Sequence, residues 1–400
     1  MSGLHLADIL NSGLGNYRQH HIMSYQQLRV CQHLQSCRTG QLGYQAWQCD
    51  NCSEVQQIGC SCRDRHCPRC QGMATAKWVQ KQQEDLLPCR YFHLVFTLPH
   101  ELNIIAHYNP NALYHCLFKV AWQTLCKFAK RKRHGQLGMT SVLHTWGQNL
   151  SQHIHLHCLI PAGALDKAQW HEIEKGYLYP VKALSTVFRG KMLAALNECD
   201  SSLAKISTPA KWCVYSKACL TYSEKLVSYL ARYTRKGVMS ESRLVSATEE
   251  TVSFKYRDYA DNNRDKVMTL SCDEFLRRYL QHVLPKGFMR IRHYGFLANA
   301  CRKRKLGLIK AQVSATPCKA VKPKVEQERL IPHWSCQSCK TGTLRFIGVM
   351  NLDEATNKIA RTSQQPCLLH QINKLTCLIA QANSDCASEK YPCLTVKHSV

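Results

Sequence analysis

Strand-like and helix-like stretches alternate along this chain, and the spacing of apolar residues separates them. "YFHLVFTLP" at 91–99 is dense in aromatic and β-branched residues and stops at Pro99, which predicts a strand. "GMTSVLHTW" and "HIHLHCLIP" predict two more, joined by the short loop "GQNLSQ" as a hairpin. "WCVYSKA" reads as a further strand, and "RLVSATEETVSFKYRDY" as a second hairpin. Between them lie helical patterns at 111–130, at 181–197, at "YSEKLVSYLARYTRKG" ended by Gly237, and at "CDEFLRRYLQHVLP" closed by Pro285. Helices alternating with hairpins predict an α+β layered fold with a central antiparallel sheet and flanking helices.

The ends of the chain follow other patterns. Residues 1–36 have a modest helical period and predict a helical leader. Residues 37–88 hold Cys37, Cys49, Cys52, Cys60, Cys62, Cys67 and Cys70 among turn residues and short strands, followed by a helix at "MATAKWVQKQQEDLLP". Beyond residue 300 the chain is basic, and the part after 352 carries scattered cysteines with little periodicity, so it is expected to be peripheral or poorly ordered. Four domains are therefore expected: 1–36, 37–88, 89–300 and 301–400.

Composition narrows the partners. Lys and Arg number 53 against 27 Asp and Glu, a formal charge of +26, which calls for a strongly anionic partner, nucleic acid first. No run of about 18 apolar residues and no signal-like start is seen, so neither a membrane span nor export is expected and the cytoplasm is the expected compartment. In a reducing compartment, clustered cysteine pairs point to metal rather than to disulfides.

Cys49-x2-Cys52 and Cys67-x2-Cys70 are two thiolate pairs of the spacing that grips one tetrahedral Zn²⁺, and together they are expected to be one structural site. Cys37, Cys60, Cys62 and His66 offer a second, and Cys336-x2-Cys339 half of a third with no evident partner. His153, His155 and His157 stand at alternate positions of a strand, so their side chains share a face. Two such imidazoles form part of a nitrogen-ligand metal site that keeps positions open for water and substrate. Tyr229 and Tyr233 lie one helical turn apart, beside Arg232, Arg235 and Lys236, and a phenol can attack a phosphodiester while arginines balance charge. The segment "RIRHYGFLANACRKRKLGLIK", with Arg290 and Arg292, mixes basic and aromatic residues as a DNA-contacting surface does.

The ordered pieces "CRTG…CDNC…CSCRDRHCPRCQG", "FTLP", "HTWGQNLSQHIHLHCLIPAGAL", "FRGK", "YLARYT" and "HVLPKGFMRIRHYG" resemble the rolling-circle insertion-sequence transposases of the HUH superfamily, two-tyrosine type, over roughly residues 30 to 300. The resemblance implies an HUH domain at 89–300 behind an N-terminal zinc module. It implies His155 and His157 as ligands of Mg²⁺ or Mn²⁺, Tyr229 and Tyr233 as nucleophiles, and Cys49, Cys52, Cys67 and Cys70 as Zn²⁺ ligands. A polar side chain completes the metal site in such enzymes, and Gln148, in the loop before the histidine strand, is the expected third ligand, ahead of His153. The implied activity is nicking and joining of single-stranded DNA at element ends through a 5′-phosphotyrosine. A replication initiator or relaxase of the same superfamily and a non-catalytic zinc DNA-binding regulator are the alternatives.

Overall fold

In the computed structural model, residues 3–132, 134–173, 178–200, 203, 206–219, 237–259, 261–314 and 334–350 are described. The chain is α+β, as its pattern predicts, but its compact units are not the four contiguous domains expected. One unit comprises Met1–Ser36 with Cys62–Glu328, and the other Cys37–Ser61 with Arg329–Val400. The expected module at 37–88 is thus cut after Ser61, because its first part finds its strand partner near residue 350 rather than in the residues that follow it.

The larger unit is built on a five-stranded antiparallel sheet in the order β12-β4-β5-β3-β8. Its strands are β3 (Tyr91–Thr97), β4 (Gly138–Trp146), β5 (Gln152–Pro161), β8 (Val214–Cys219) and β12 (Ile291–Gly295). Leu94, Phe96, Leu143, Ile154, Leu156, Cys158 and Ile160 face one way and are fully or almost fully buried. That face joins one core with Leu117, Phe118, Val120 and Leu125 of α5 (Pro110–Lys132) and Phe188, Met192 and Leu196 of α6 (Val181–Cys199). Burying each of these large apolar side chains contributes roughly 1.5–3 kcal/mol. The core therefore fixes which side of β5 faces the helices, and the period of two puts His155 and His157 on the other.

At one end of that second face, Tyr91 and Leu159 pack in a second cluster with Leu306, Ile309 and Val313 of α8 (Arg302–Ser314). A small sheet of β9 (Leu244–Ala247), β10 (Thr251–Asp258) and β11 (Arg264–Ser271) packs with α7 (Cys272–Leu280), where Phe254 meets Phe275 at 5.9 Å. The hairpin expected at 243–259 forms, and β11 adds a strand that the polar run "RDKVMTLS" did not signal. The leader resolves into α1 (Leu6–His20) and α2 (Tyr25–Gln35). At Gly13, α1 approaches α7 so closely that a Cβ would lie 2.2 Å from Cys272 Sγ. The helix at 73–88 forms as α3 (Gln71–Asp85), and a short α4 (Asn103–Tyr108) and the hairpin β6 (Gly163–Asp166) and β7 (Gln169–Glu172) complete the unit's named elements. Among the described residues no helix is long and apolar enough to cross a membrane.

The smaller unit is a three-stranded antiparallel sheet in the order β13-β1-β2, from Leu344–Met350, Tyr44–Cys49 and Val55–Gly59. β1 pairs with β13 from Tyr44↔Met350 to Cys49↔Leu344, with an irregularity between Ala46 and Trp47. Its apolar cluster is small: buried Cys49, Cys336 and Leu344, against Trp47, Trp334 and Cys339.

Candidate metal and DNA site

The β4–β5 hairpin sets the geometry of the histidines. His144 on β4 lies opposite His155 on β5, and Val142 lies opposite His157. Directly paired residues point to one face, so His144, His155 and His157 converge. One ring nitrogen of each lies within 4.8 Å of the others, and the ring centroids are 4.6–5.3 Å apart.

Hydrogen bonds orient two of these rings. His155 Nδ1 lies 2.8 Å from the His153 carbonyl, which only accepts, so Nδ1 carries the proton and Nε2 the lone pair. His157 Nδ1 lies 2.9 Å from Nε2 of His93, on the adjacent strand β3. For His157 to present Nε2 to a metal, its Nδ1–H donates to His93, which is the outer hydrogen bond that holds a ligating imidazole in one tautomer. Burial pushes the His155 and His93 pKa values down to about 4, and burial followed by the neighbouring imidazoles of His144 and His155 pushes His157 lower still. His155, His157 and His93 are thus neutral at pH 7, the state in which imidazole binds metal.

The structure separates the expected site residues. His155 and His157 are together, and the side chain that joins them is His144. Gln148, expected as third ligand, is exposed, donates from Nε2 to Tyr259 Oη at 3.4 Å, and gives its carbonyl to Arg243. Two residues on, Leu150 takes a φ of 62° and its carbonyl is bound by Gln281 and His282, which holds the loop that carries Gln148. His153 is exposed and contributes its carbonyl. His144 and His93 were missed because their spacing from the pair has meaning only once the strand register is known.

Arg290 lies over the Trp146 ring at 5.7 Å, and Trp146 stacks on His144 at 4.7 Å, so this arginine belongs to the surroundings of the histidines. Arg292 instead covers Phe118 at 4.3 Å and Phe288 at 5.1 Å, where it packs against α5. Phe288, Arg292, His115, Lys286 and His293 line an open groove of about 470 Å³. Tyr229, Tyr233, Arg232, Arg235 and Lys236 lie outside the described residues.

The cysteines are also redistributed. Cys49 and Cys52 stand with Cys336 and Cys339, whereas Cys67 and Cys70 stand with Cys62, so the four expected to share one zinc are divided between two clusters. Register explains it: once β1 pairs with β13, the knuckle at 336–339 occupies the place that Cys67 and Cys70 were expected to fill. His66, offered as a ligand for a second zinc, has both nitrogens engaged. Its Nδ1 bonds Asp64 at 2.9 Å and its Nε2 accepts from the Leu284 N–H at 3.2 Å. Burial opposes ionisation of Asp64, but hydrogen bonds from the His66 side chain and backbone and from His33 outweigh it and hold the carboxyl well below the usual range.

These features match known proteins. Residues 138–305 match a family model described as "Putative transposase", and residues 9–98 match one described as a transposase zinc-binding domain of IS91 type. The chain is 41% identical over 331 residues to a protein of Sinorhizobium fredii named putative transposase y4qJ, covering 76% of this chain and 83% of that one. It is 33% identical over 304 residues to the transposase for insertion sequence element IS801 of Pseudomonas savastanoi pv. phaseolicola, covering 70% of this chain and 73% of that one. No solved structure matches. A paired-strand histidine site, cysteine clusters that support structural zinc, and two relatives matched over most of their length agree: this chain belongs to the IS91-type family of insertion-sequence transposases.

Proposed function

We propose that this transposase nicks and rejoins single-stranded DNA at the ends of its element through a 5′-phosphotyrosine, with Tyr229 and Tyr233 as nucleophiles, and so moves the element by a rolling-circle route. The observation that carries the proposal is the convergence of three imidazoles on the sheet face that α5 and α6 leave uncovered. Three nitrogen donors fit a divalent ion that keeps other positions for water and phosphate, and imidazole suits Mn²⁺ better than Mg²⁺. When bound, such an ion polarises the scissile phosphate. His155, His157 and His144 would hold it, in preference to Gln148, and His93 would fix the ring of His157.

The phenolic oxygen of a tyrosine attacks phosphorus, the P–O bond on the 3′ side breaks, and the departing oxygen takes a proton to become a 3′-OH. The phosphodiester energy is kept in the phosphotyrosine, so the later attack by a 3′-OH needs no ATP. Arg290 above Trp146 would bind phosphate or stack beside a base, and Arg232, Arg235 and Lys236 would balance backbone charge. A replication initiator would share the nicking chemistry, but the two transposase relatives favour transposition.

The test is to incubate the full chain with labelled single-stranded DNA from the element's ends and Mn²⁺, then look for a covalent adduct under denaturing conditions. The adduct should vanish with EDTA and in the Tyr229→Phe, Tyr233→Phe double variant. Retained DNA binding without any adduct from the wild-type chain would overturn the proposal.

A further inference from the structure

The Cys336–Cys339 pair lies outside both family-model matches, yet it stands beside Cys49 and Cys52 within one compact unit. We infer that Cys49, Cys52, Cys336 and Cys339 form a closed structural Zn²⁺ site, which makes the cysteine module a ribbon built from two chain segments almost three hundred residues apart.

Three observations carry this. The first is spacing: Cys49 Sγ lies 3.7 Å from Cys339 Sγ, and Cys52 Sγ 3.7 Å from Cys336 Sγ. A tetrahedron with Zn–S bonds of about 2.3 Å has edges of about 3.8 Å, whereas a disulfide brings its sulfurs to about 2.05 Å.

The second is that the two pairs are built alike. Ser53, after Cys52, has a φ of 59°, and its N–H reaches the Cys49 carbonyl at 3.2 Å. Lys340, after Cys339, has a φ of 60°, and its N–H reaches the Cys336 carbonyl at 3.0 Å. Neither residue is a glycine, so the left-handed turn is imposed twice, at the same place in each knuckle. A Cβ on Gly342 would lie 2.3 Å from Cys49 Sγ, so the second knuckle closes against the first with no room for a side chain there.

The third is the set of donors aimed at sulfur. Backbone N–H groups of Asn51 and Cys52 lie 3.4 and 3.5 Å from Cys49 Sγ, and that of Gly342 lies 3.2 Å from Cys339 Sγ. Asn51 Nδ2 approaches Cys339 Sγ, and Gln56 Nε2 approaches Cys336 Sγ. These N–H groups spread the negative charge that four thiolates leave around a dication. The apolar cluster around them is too small to hold a three-stranded sheet by burial alone, and a metal supplies what such a core lacks.

The experiment is zinc analysis of the purified full-length chain by elemental and native mass spectrometry. Cys336→Ser with Cys339→Ser should lower the zinc content by one equivalent, and Cys67→Ser with Cys70→Ser should remove a separate one. Cys336→His, which restores a ligand, should keep the equivalent that Cys336→Ser loses, which separates a ligand role from general misfolding. Cobalt in the site should give the intense visible bands of tetrahedral thiolate coordination, lost in Cys336→Ser and kept in altered form in Cys336→His. Unchanged zinc in the 336/339 double variant, loss of zinc in Cys336→His as complete as in Cys336→Ser, or isolation of a Cys49–Cys339 disulfide from the reduced-purified chain would each overturn the inference.

Discussion

The three-histidine site and the four-cysteine site solve the same problem, gathering ligands, from opposite ends. The histidines come from one hairpin: His144 and His155 are separated by a short loop, and His157 follows two residues on. They stand on a sheet face and offer three ligands, which leaves places for other groups. The cysteines come from segments 290 residues apart and offer four ligands, with both knuckles held by N–H···S contacts. A local, incomplete set suits chemistry, and a distant, complete set suits a staple.

The largest test of that contrast is His155→Ala. Loss of a ligand from the open site should lower metal-dependent cleavage by on the order of 10³-fold, about 4 kcal/mol of transition-state stabilisation, while the zinc content stays unchanged. Single-turnover cleavage beside elemental analysis of the same sample checks both. If zinc falls too, the two sites are not independent.

Next is the identity of the third ligand. His144→Ala should weaken Mn²⁺ binding by about 10–100-fold or more, and Gln148→Ala should leave it nearly unchanged. Titration calorimetry on both variants decides, and the reverse order would restore Gln148.

A third prediction sets the clustered histidines against one that lies outside the cluster. His282 is buried between the Thr145 hydroxyl and the Leu150 carbonyl, and burial pushes its pKa down to about 4. Because an unfolded histidine titrates near 6.5, the unfolded chain takes up this proton first as the pH falls. Stability should therefore be flat on this account above pH 6.5 and decline from 6.5 towards 4, by roughly 3 kcal/mol at most. Denaturant titrations at several pH values check it, and His282→Gln should flatten the slope.

The smallest effect belongs to His153, the outermost of the alternating three. It is exposed, its ring lies 4.9 Å from that of His155, and its hydrogen bond to His155 comes from the backbone carbonyl, which alanine retains. His153→Ala should leave Mn²⁺ affinity within about twofold, since exposed positions away from special features change little.

What the sequence made legible follows the same divide. His155 and His157 could be paired from spacing alone, because a strand repeats every two residues. His144 and His93 could not, because they join the pair through inter-strand register, of β4 with β5 for His144 and of β3 with β5 for His93. The helices α5, α6 and α7 were visible in their apolar period. β11 was not, because most of its residues are exposed or half-exposed. The Cys336 knuckle was seen as half a site, but nothing in its neighbourhood indicates a partner near residue 50.

The pairing of β1 with β13 also has a meaning in time. A ribosome adds about 5–20 residues per second, so Cys52 emerges roughly 15 to 60 s before Cys336 can be made. Through that interval the first knuckle must stay reduced and uncommitted, with its edge strand open to wrong partners. A message that stops before residue 336 would yield a chain with its histidines in place and its ribbon unclosed.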